Sequence, residues 1–319
     1  MSAVTTEGAW DELSLSPAEY RRASALYRRR RSSKGYLFVL PYFVPFLAFL
    51  VVPAFWSVWL SFNQGGLLDS AKFVGFKNWR EIGADSELTT SIENTAKYVV
   101  TAIVLVFILA LFLALILNRY RKGSNLYKLA LYVPLLAPAV LVGLIWQFIA
   151  NYDFGLFNLI LTTLGLSRVN IFGSGTLSLL TIVLAEVWRG LGFWTLYFLA
   201  SLQNVPEELL DAARVDGVRG VQRFRRVTLP LLRPMLLFAV VIAIIANFQV
   251  FDTVYVLTQG GPYEQTSTMV WFIWEHLFQF QETGQGYAAA VILLGIILIL
   301  TAVSFWLLGS RGRRRRRAA

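Results

Sequence analysis

Residues able to do chemistry are few in this chain, and several sit where a soluble protein would not place them. Glu186 and Arg189 stand three residues apart inside the apolar run 177–202, so a helix puts both on one face. A lone charge at a bilayer centre costs ~2.5–3.5 kcal/mol on insertion scales. The two must therefore pair, face a bundle interior or line a watery path. One reading is an ion pair within the helix. The other sets them beside a path for a polar solute, with Trp188 as a stacking surface. The apolar run 235–257 carries a second polar set, Asn247, Gln249, Asp252 and Tyr255, and Asp252 has no cation at i±3 or i±4. Helical spacing predicts one face for Gln249, Asp252 and Tyr255. An amide, a carboxylate and an aromatic ring suit hydrogen bonding and stacking to a polyol solute, although polar groups also hold spans together.

The chemistry that is missing is informative too. The chain has no cysteine and a single histidine, His276, which removes disulfide frameworks, thiol catalysis and multi-histidine metal sites. His276 is expected at the surface of an outer segment. No HExxH, GxSxG or close carboxylate pair lies in the apolar runs, so a membrane-embedded enzyme is remote. No GxxxxGK[ST] phosphate loop is present either.

The elements that must position these residues are membrane helices. Of 319 residues 56% are hydrophobic and 15% are Asp, Glu, Lys or Arg, against roughly 25% charged in an ordinary soluble domain. A spanning helix takes about 20 apolar residues, and six runs qualify: 37–62, 98–117, 129–149, 177–202, 235–257 and 287–308. The expected fold is all-α and integral to the membrane. It has a basic tail over 1–36, a six-helix domain over 37–308 and a second basic tail over 309–319. Prolines 41, 45 and 53 predict kinks in the first run, and Pro134 and Pro138 lie in the third. The first run is too long for a signal-peptide core and no small-residue cleavage site closes it, so it reads as an uncleaved anchor. The loop 63–97, with Gly65-Gly66, reads as a compact excursion outside.

Lysine and arginine orient the bundle. The N-terminal tail, the loops 118–128 and 203–234 and the tail after 308 carry 23 of them, against five on the other side (Lys72, Lys77, Arg80, Lys97, Arg168). Both termini are therefore expected in the cytoplasm. The run Arg313–Arg317 reads as a topology anchor that attracts anionic lipid rather than nucleic acid.

The cytoplasmic stretch 203–234 reads as a short helix, a break and a second short helix. Pro206 suits the first helical position, Glu207 and Glu208 suit the positive end of the helix dipole, and Gly217 suits its end. Leu209, Ala212 and Ala213 give a face of small or apolar residues. Chemistry alone leaves open an interfacial amphipathic helix or a docking helix. The spacing goes further. Asp211-Ala212-Ala213, three residues, Gly217, nine residues, Val227, one residue and Leu229-Pro230 resembles the pattern EAA-x3-G-x9-I-x-LP of binding-protein-dependent ABC importer permeases. Asp for Glu and Val for Ile are the departures. YLFVLPYFVPFLAFLVVPAFWSVWLSF from position 36, FVGFKNW at 73–79 and ENTAKY at 93–98 are similar to the carbohydrate-importer branch of that family. So are AEVWRGLGFWTLYFLASLQNVPEELLDAARVDG at 185–217, VFDTVYVLTQGGP at 250–262 and GYAAAVILL at 286–294. The likeness is to the subunit of the maltose and glycerol-phosphate importers that carries the GGP loop.

The resemblance implies a transport subunit, not an enzyme, in a bacterial cell membrane. A coupling helix bearing Glu208, Asp211, Ala212, Ala213 and Gly217, closed by Leu229 and Pro230, would dock in a cleft of a separate cytoplasmic ATPase dimer, which alone binds ATP and Mg. A second related permease would complete the path. An extracytoplasmic solute-binding protein would dock near Gly260, Gly261 and Pro262 and deliver a sugar or polyol past Glu186, Trp188, Arg189, Gln249, Asp252 and Tyr255. The competing class is a stand-alone secondary transporter or channel in which Asp252 and Glu186 relay ions. Inverted repeats or paired broken helices would mark it, and the sequence displays neither.

Overall fold

The computed structural model describes residues 39–65, 71–119 and 124–315. The tail 1–36, Gly66 and the last arginines of the 313–317 run lie outside them. The chain divides into two compact units after Trp56. In the first, residues 39–56 belong to helix α1 (Val39–Leu60), which is apolar over its full length. A π-turn at Leu47–Val51 lies between Pro45 and Pro53; such a widened turn accommodates rings that cannot donate a hydrogen bond.

The second unit begins with a short hairpin, β1 (Asn63–Gln64) against β2 (Lys72–Phe73), followed by α2 (Lys77–Ala84). Asn78 buries its amide here and donates to the carbonyls of Ser61 and Asn63 at 2.9 and 2.8 Å. This is a compact excursion between two helices, and it ends earlier than expected. Helix α3 (Ser86–Arg119) starts at Ser86, where the Asp85 carboxylate accepts the Glu87 backbone N–H at 2.8 Å, and runs unbroken for 34 residues.

Helix α3 is the axis of the core. Tyr98, Ala102, Val106, Ala110 and Ala114 recur every fourth residue and all are buried. Alanines on that stripe let α7 (Gly175–Gln203) approach closely along its length. Phe107 fills the space between them, 4.9 Å from the Trp194 ring and 5.2 Å from Phe198. Outside the stripe, Ile108, Phe112 and Leu298 are more than half exposed. An apolar surface of that extent suits lipid.

The third predicted span is not one straight helix. Helix α4 (Ser124–Leu136) and α5 (Ala139–Ile149) meet at 97° across Ala137-Pro138, where proline removes a ladder donor and forces its predecessor out of the helical region. A short helix α6 (Leu156–Thr163) follows, tied down by the buried Asn158, which bonds Val169 in both directions. After α7 come a short helix α8 (Glu207–Val215), a helical stretch Gly220–Arg223 with a π-turn at Phe224–Thr228, and then α9 (Arg233–Phe248).

The fifth predicted span, 235–257, is also broken. It ends at Phe248 and resumes as α10 (Asp252–Leu257). No glycine or proline marks that break. Thr268 donates its hydroxyl to the freed Val250 carbonyl at 3.3 Å instead. The remaining helices are α11 (Met269–Trp274), which continues into a π-turn at Glu275–Gln279, and α12 (Thr283–Arg315).

Candidate functional site

The break between α9 and α10 opens a cavity of about 240 Å3. Tyr98 of α3, Glu186 and Arg189 of α7 and Asn247, Gln249 and Asp252 of the broken span line it. The Glu186 Oε2 atom accepts two bonds from Arg189, at 3.0 Å from Nε and 2.7 Å from Nη2. Its Oε1 accepts the hydroxyl of Thr253, which is wholly buried, at 2.8 Å. The ion-pair reading of Glu186 and Arg189 thus holds, and the pair also faces the cavity. With Glu186 12% and Arg189 31% exposed as side chains, a pair joined by two bonds to one carboxylate oxygen and held by Thr253 on the other is a fixed dipole on the cavity wall.

The single face expected for Gln249, Asp252 and Tyr255 does not exist, because Gln249 caps α9 while Asp252 opens α10. The break nonetheless brings Gln249 and Asp252 to the same cavity, both exposed there. Asn247 is partly committed elsewhere, donating to the Ala243 carbonyl at 2.8 Å. Trp188 and Tyr255 do not line the cavity. Trp188 lies two residues from Glu186 and so on another side of α7. Tyr255 packs 5.5 Å from Phe251, which does line it. Thr253 and Phe251 escaped sequence reasoning, since an isolated threonine or phenylalanine in an apolar run carries no signal.

Outside this cavity the GGP turn is tightly built. Gly260 has φ +79°, and a Cβ there would meet Trp271 Nε1 at 2.6 Å. The Thr266 hydroxyl bridges Thr258 Oγ1 and the Gly261 carbonyl at 2.7 and 2.6 Å, and Gly261-Pro262 is cis. The Asn94 amide of α3 donates to the Glu264 and Ser267 carbonyls at 3.0 and 3.1 Å. Gln259, Tyr263 and Glu264 all have positive φ, and the Tyr263 side chain is almost fully exposed. Non-glycine residues in that region cost energy and concentrate at functional sites.

Carboxylates gather behind the turn. Burial pushes the Glu87 carboxyl up to about 7, helped by the Glu264 charge and a hydrogen bond to Glu264. Burial also raises Glu275. His276 is not a surface residue as expected. It is 3% exposed, stacked 4.0 Å from the Phe272 ring and bonded through Nδ1 to the Phe272 carbonyl at 3.0 Å. Its Nε2 points between Asp85 and Glu282 at 4.0 and 3.9 Å. Asp85 comes from a distant segment, so the sequence could not place it beside His276, whereas Phe272 and Glu282 are near neighbours in the chain.

At the opposite end, α8 is preceded by Pro206, which sits at the N-cap rather than at the first helical position, and carries Glu207 and Glu208 in its first turn. It closes with the Val218 N–H on the Ala213 carbonyl at 2.9 Å and Gly217 at φ +75°. That is the six-to-one closure for which a left-handed glycine is suited. The expected shared face divides: Ala213 is buried, whereas Leu209 and Ala212 are exposed, as are Glu208 and Asp211. Arg214 bonds Asp211 at 2.6 Å. Leu229 and Pro230 are half-buried where the chain returns toward α9. A second cavity, about 1020 Å3, lies beside α8 and is lined among others by Arg119, Lys128, Gln203, Asp211 and Arg223.

Apolar helices around a polar cavity at a helix break, with a short exposed helix between spans, define a polytopic helical transport protein. The pattern described as binding-protein-dependent transport system inner membrane component matches residues 106–317, and the chain belongs to that family. The trehalose/maltose transport system permease protein MalF of Thermococcus litoralis is 34% identical over 287 residues, covering 89% of this chain and 96% of that protein. The arabinooligosaccharides transport system permease protein AraP of Bacillus subtilis is also 34% identical, over 88% of this chain and 90% of its own length. The fold matches a chain from the crystal structure of a bacterial alginate ABC transporter in complex with an alginate pentasaccharide-bound periplasmic protein. That match has a TM-score of 0.76 and 22% identity over 86% of this chain and 93% of the other.

Proposed function

We propose that this chain is the permease subunit of an ATP-driven importer and forms the path for a sugar handed over by an external solute-binding protein. The observation that carries the proposal is the polar cavity at the α9–α10 break, where Gln249 and Asp252 stand free and the Glu186–Arg189 pair forms the wall. Relatives named for trehalose, maltose and arabinooligosaccharide transport support a carbohydrate. The lysine and arginine bias supports cytoplasmic termini in a bacterial cell membrane. The exposed side of α8, with Glu208, Asp211 and Ala212, docks a cytoplasmic ATPase dimer that holds ATP and Mg. Gly217 aims that helix, and Ala213 anchors it inward. A second, related permease covers the open side of the cavity. The turn at Gly260, Gly261 and Pro262, with Tyr263 standing out, receives the binding protein.

The test is to tag the chain, solubilise native membranes in mild detergent and identify what co-purifies by mass spectrometry. An ATPase and a second permease are expected. Gly217→Ala should weaken ATPase retention, because open space surrounds the glycine and the cost is that of the left-handed backbone alone, roughly 1 kcal/mol. A chain that purifies alone and moves solute in liposomes without ATP is a secondary transporter, and the proposal fails.

A further inference from the structure

Beyond the polar cavity lies a run of aromatic rings. Phe251 lines the cavity and lies 5.9 Å from Trp274, which in turn is 6.3 Å from Phe278. Tyr255 closes one side, 5.5 Å from Phe251 and 5.3 Å from Trp274. Trp271 backs the run, stacked on Phe251 at 6.4 Å and 5.1 Å from Trp274.

Exposure rises along the series. Trp271 is buried, Phe251 and Trp274 are half-buried, and Tyr255 and Phe278 are exposed. The run therefore has a fixed back and an open front. A row of rings at the membrane surface is commonly an interfacial belt, but three features set this one apart. It shares Phe251 with the polar cavity. Two of its rings have a carboxyl next in sequence, Asp252 beside Phe251 at the cavity end and Glu275 beside Trp274 in the middle. Its buried ring is pinned by the GGP turn, where only a glycine at 260 leaves room for the Trp271 indole.

Resting on the carbohydrate reading above, we propose that Phe251, Tyr255, Trp274 and Phe278 form a stacking track that guides a neutral oligosaccharide from the outer mouth into the cavity at Gln249 and Asp252. Successive rings each offer a flat apolar face to a sugar ring, and the flanking carboxyls accept hydroxyl hydrogen bonds. The same carboxyls repel an acidic chain, so the track suits neutral sugars. A monosaccharide engages one step at a time. A trisaccharide spans several steps at once and gains from each.

The experiment uses the assembled complex with its binding protein in nanodiscs and reads sugar-stimulated ATP hydrolysis. The probes are maltotriose and arabinotriose, compared with glucose and arabinose. Trp274→Ala and Phe278→Ala should raise the half-saturating trisaccharide concentration by about fivefold, the scale of one lost aromatic contact. The monosaccharide value should move less than twofold, and Trp274→Phe should restore the wild-type response. Asp252→Ala, which acts at the cavity, should weaken the response to both lengths. An unchanged trisaccharide response in both alanine variants overturns the track and leaves the cavity reading in place. So does an equal loss for both sugar lengths in Trp274→Ala. A wild-type complex that answers to no neutral sugar in a broad panel and is stimulated instead by a charged or non-sugar solute overturns the carbohydrate reading and the track with it.

Discussion

Glu186 is a carboxylate with all its partners inside the protein. Two bonds come from Arg189 and one from Thr253, so the charge is held within the span by protein partners. Thr253→Val removes a donor to a charged group and leaves Oε1 short of a partner, a loss of about 1.5–3 kcal/mol. The complex should show a lower thermal unfolding midpoint, measured in detergent, and an unchanged midpoint would mean that water replaces the hydroxyl freely. Glu87 behaves differently. Its carboxyl is raised from the ordinary value of 4.5 to about 7, so the folded protein keeps a proton that the unfolded chain gives up. That contribution is present below pH 4.5 and is lost as pH rises through 7. The contact between the Glu87 end of α3 and the GGP turn should loosen from pH 5 to pH 8, read as falling protection factors of the Ser267 and Met269 amides after division by the intrinsic exchange rate at each pH. Glu87→Gln should flatten the dependence, and a slope that survives in the variant would place its origin elsewhere.

At the scale of elements, the two broken spans are the features that matter. The bend between α4 and α5 was readable, because Pro134 and Pro138 both lie there. The break between α9 and α10 was not, because a hydroxyl from Thr268, eighteen residues away, holds the freed carbonyl. The sequence did single out Gln249 and Asp252, but as one helical face, whereas the structure unites them by ending one helix and starting another. Replacing both with alanine should abolish uptake while the chain still co-purifies with its partners, since neither residue packs the core. Normal uptake in that double variant would remove them from the path. The short helix α8 was legible almost to the residue, because proline, glutamates and glycine signal locally. Its division into a buried Ala213 and an exposed Ala212 was not, because only the tertiary neighbour decides which alanine turns inward.

At the scale of the whole molecule, periodicity and length made the spans legible, and positive charge predicts their orientation. The outer layer was much less so. Trp271, Trp274 and His276 are neighbours in the chain, but the Asp85 and Glu87 carboxyls and the Phe251 ring that meet this stretch come from elsewhere, and a tryptophan beyond a span reads the same in a belt as in a track. One feature joins the two ends of the bundle. Helix α3 is 34 residues long, about 51 Å at the usual rise and well beyond a hydrocarbon thickness of about 30 Å. Near its outer end Asn94 grips the GGP turn, and at its inner end Asn118 and Arg119 border the cavity beside α8. No proline interrupts it. A stiff rod gripped at one end works as a lever, so a tilt at the GGP turn arrives as a displacement at the far cavity beside α8, with no need for the polar cavity in between to carry the message.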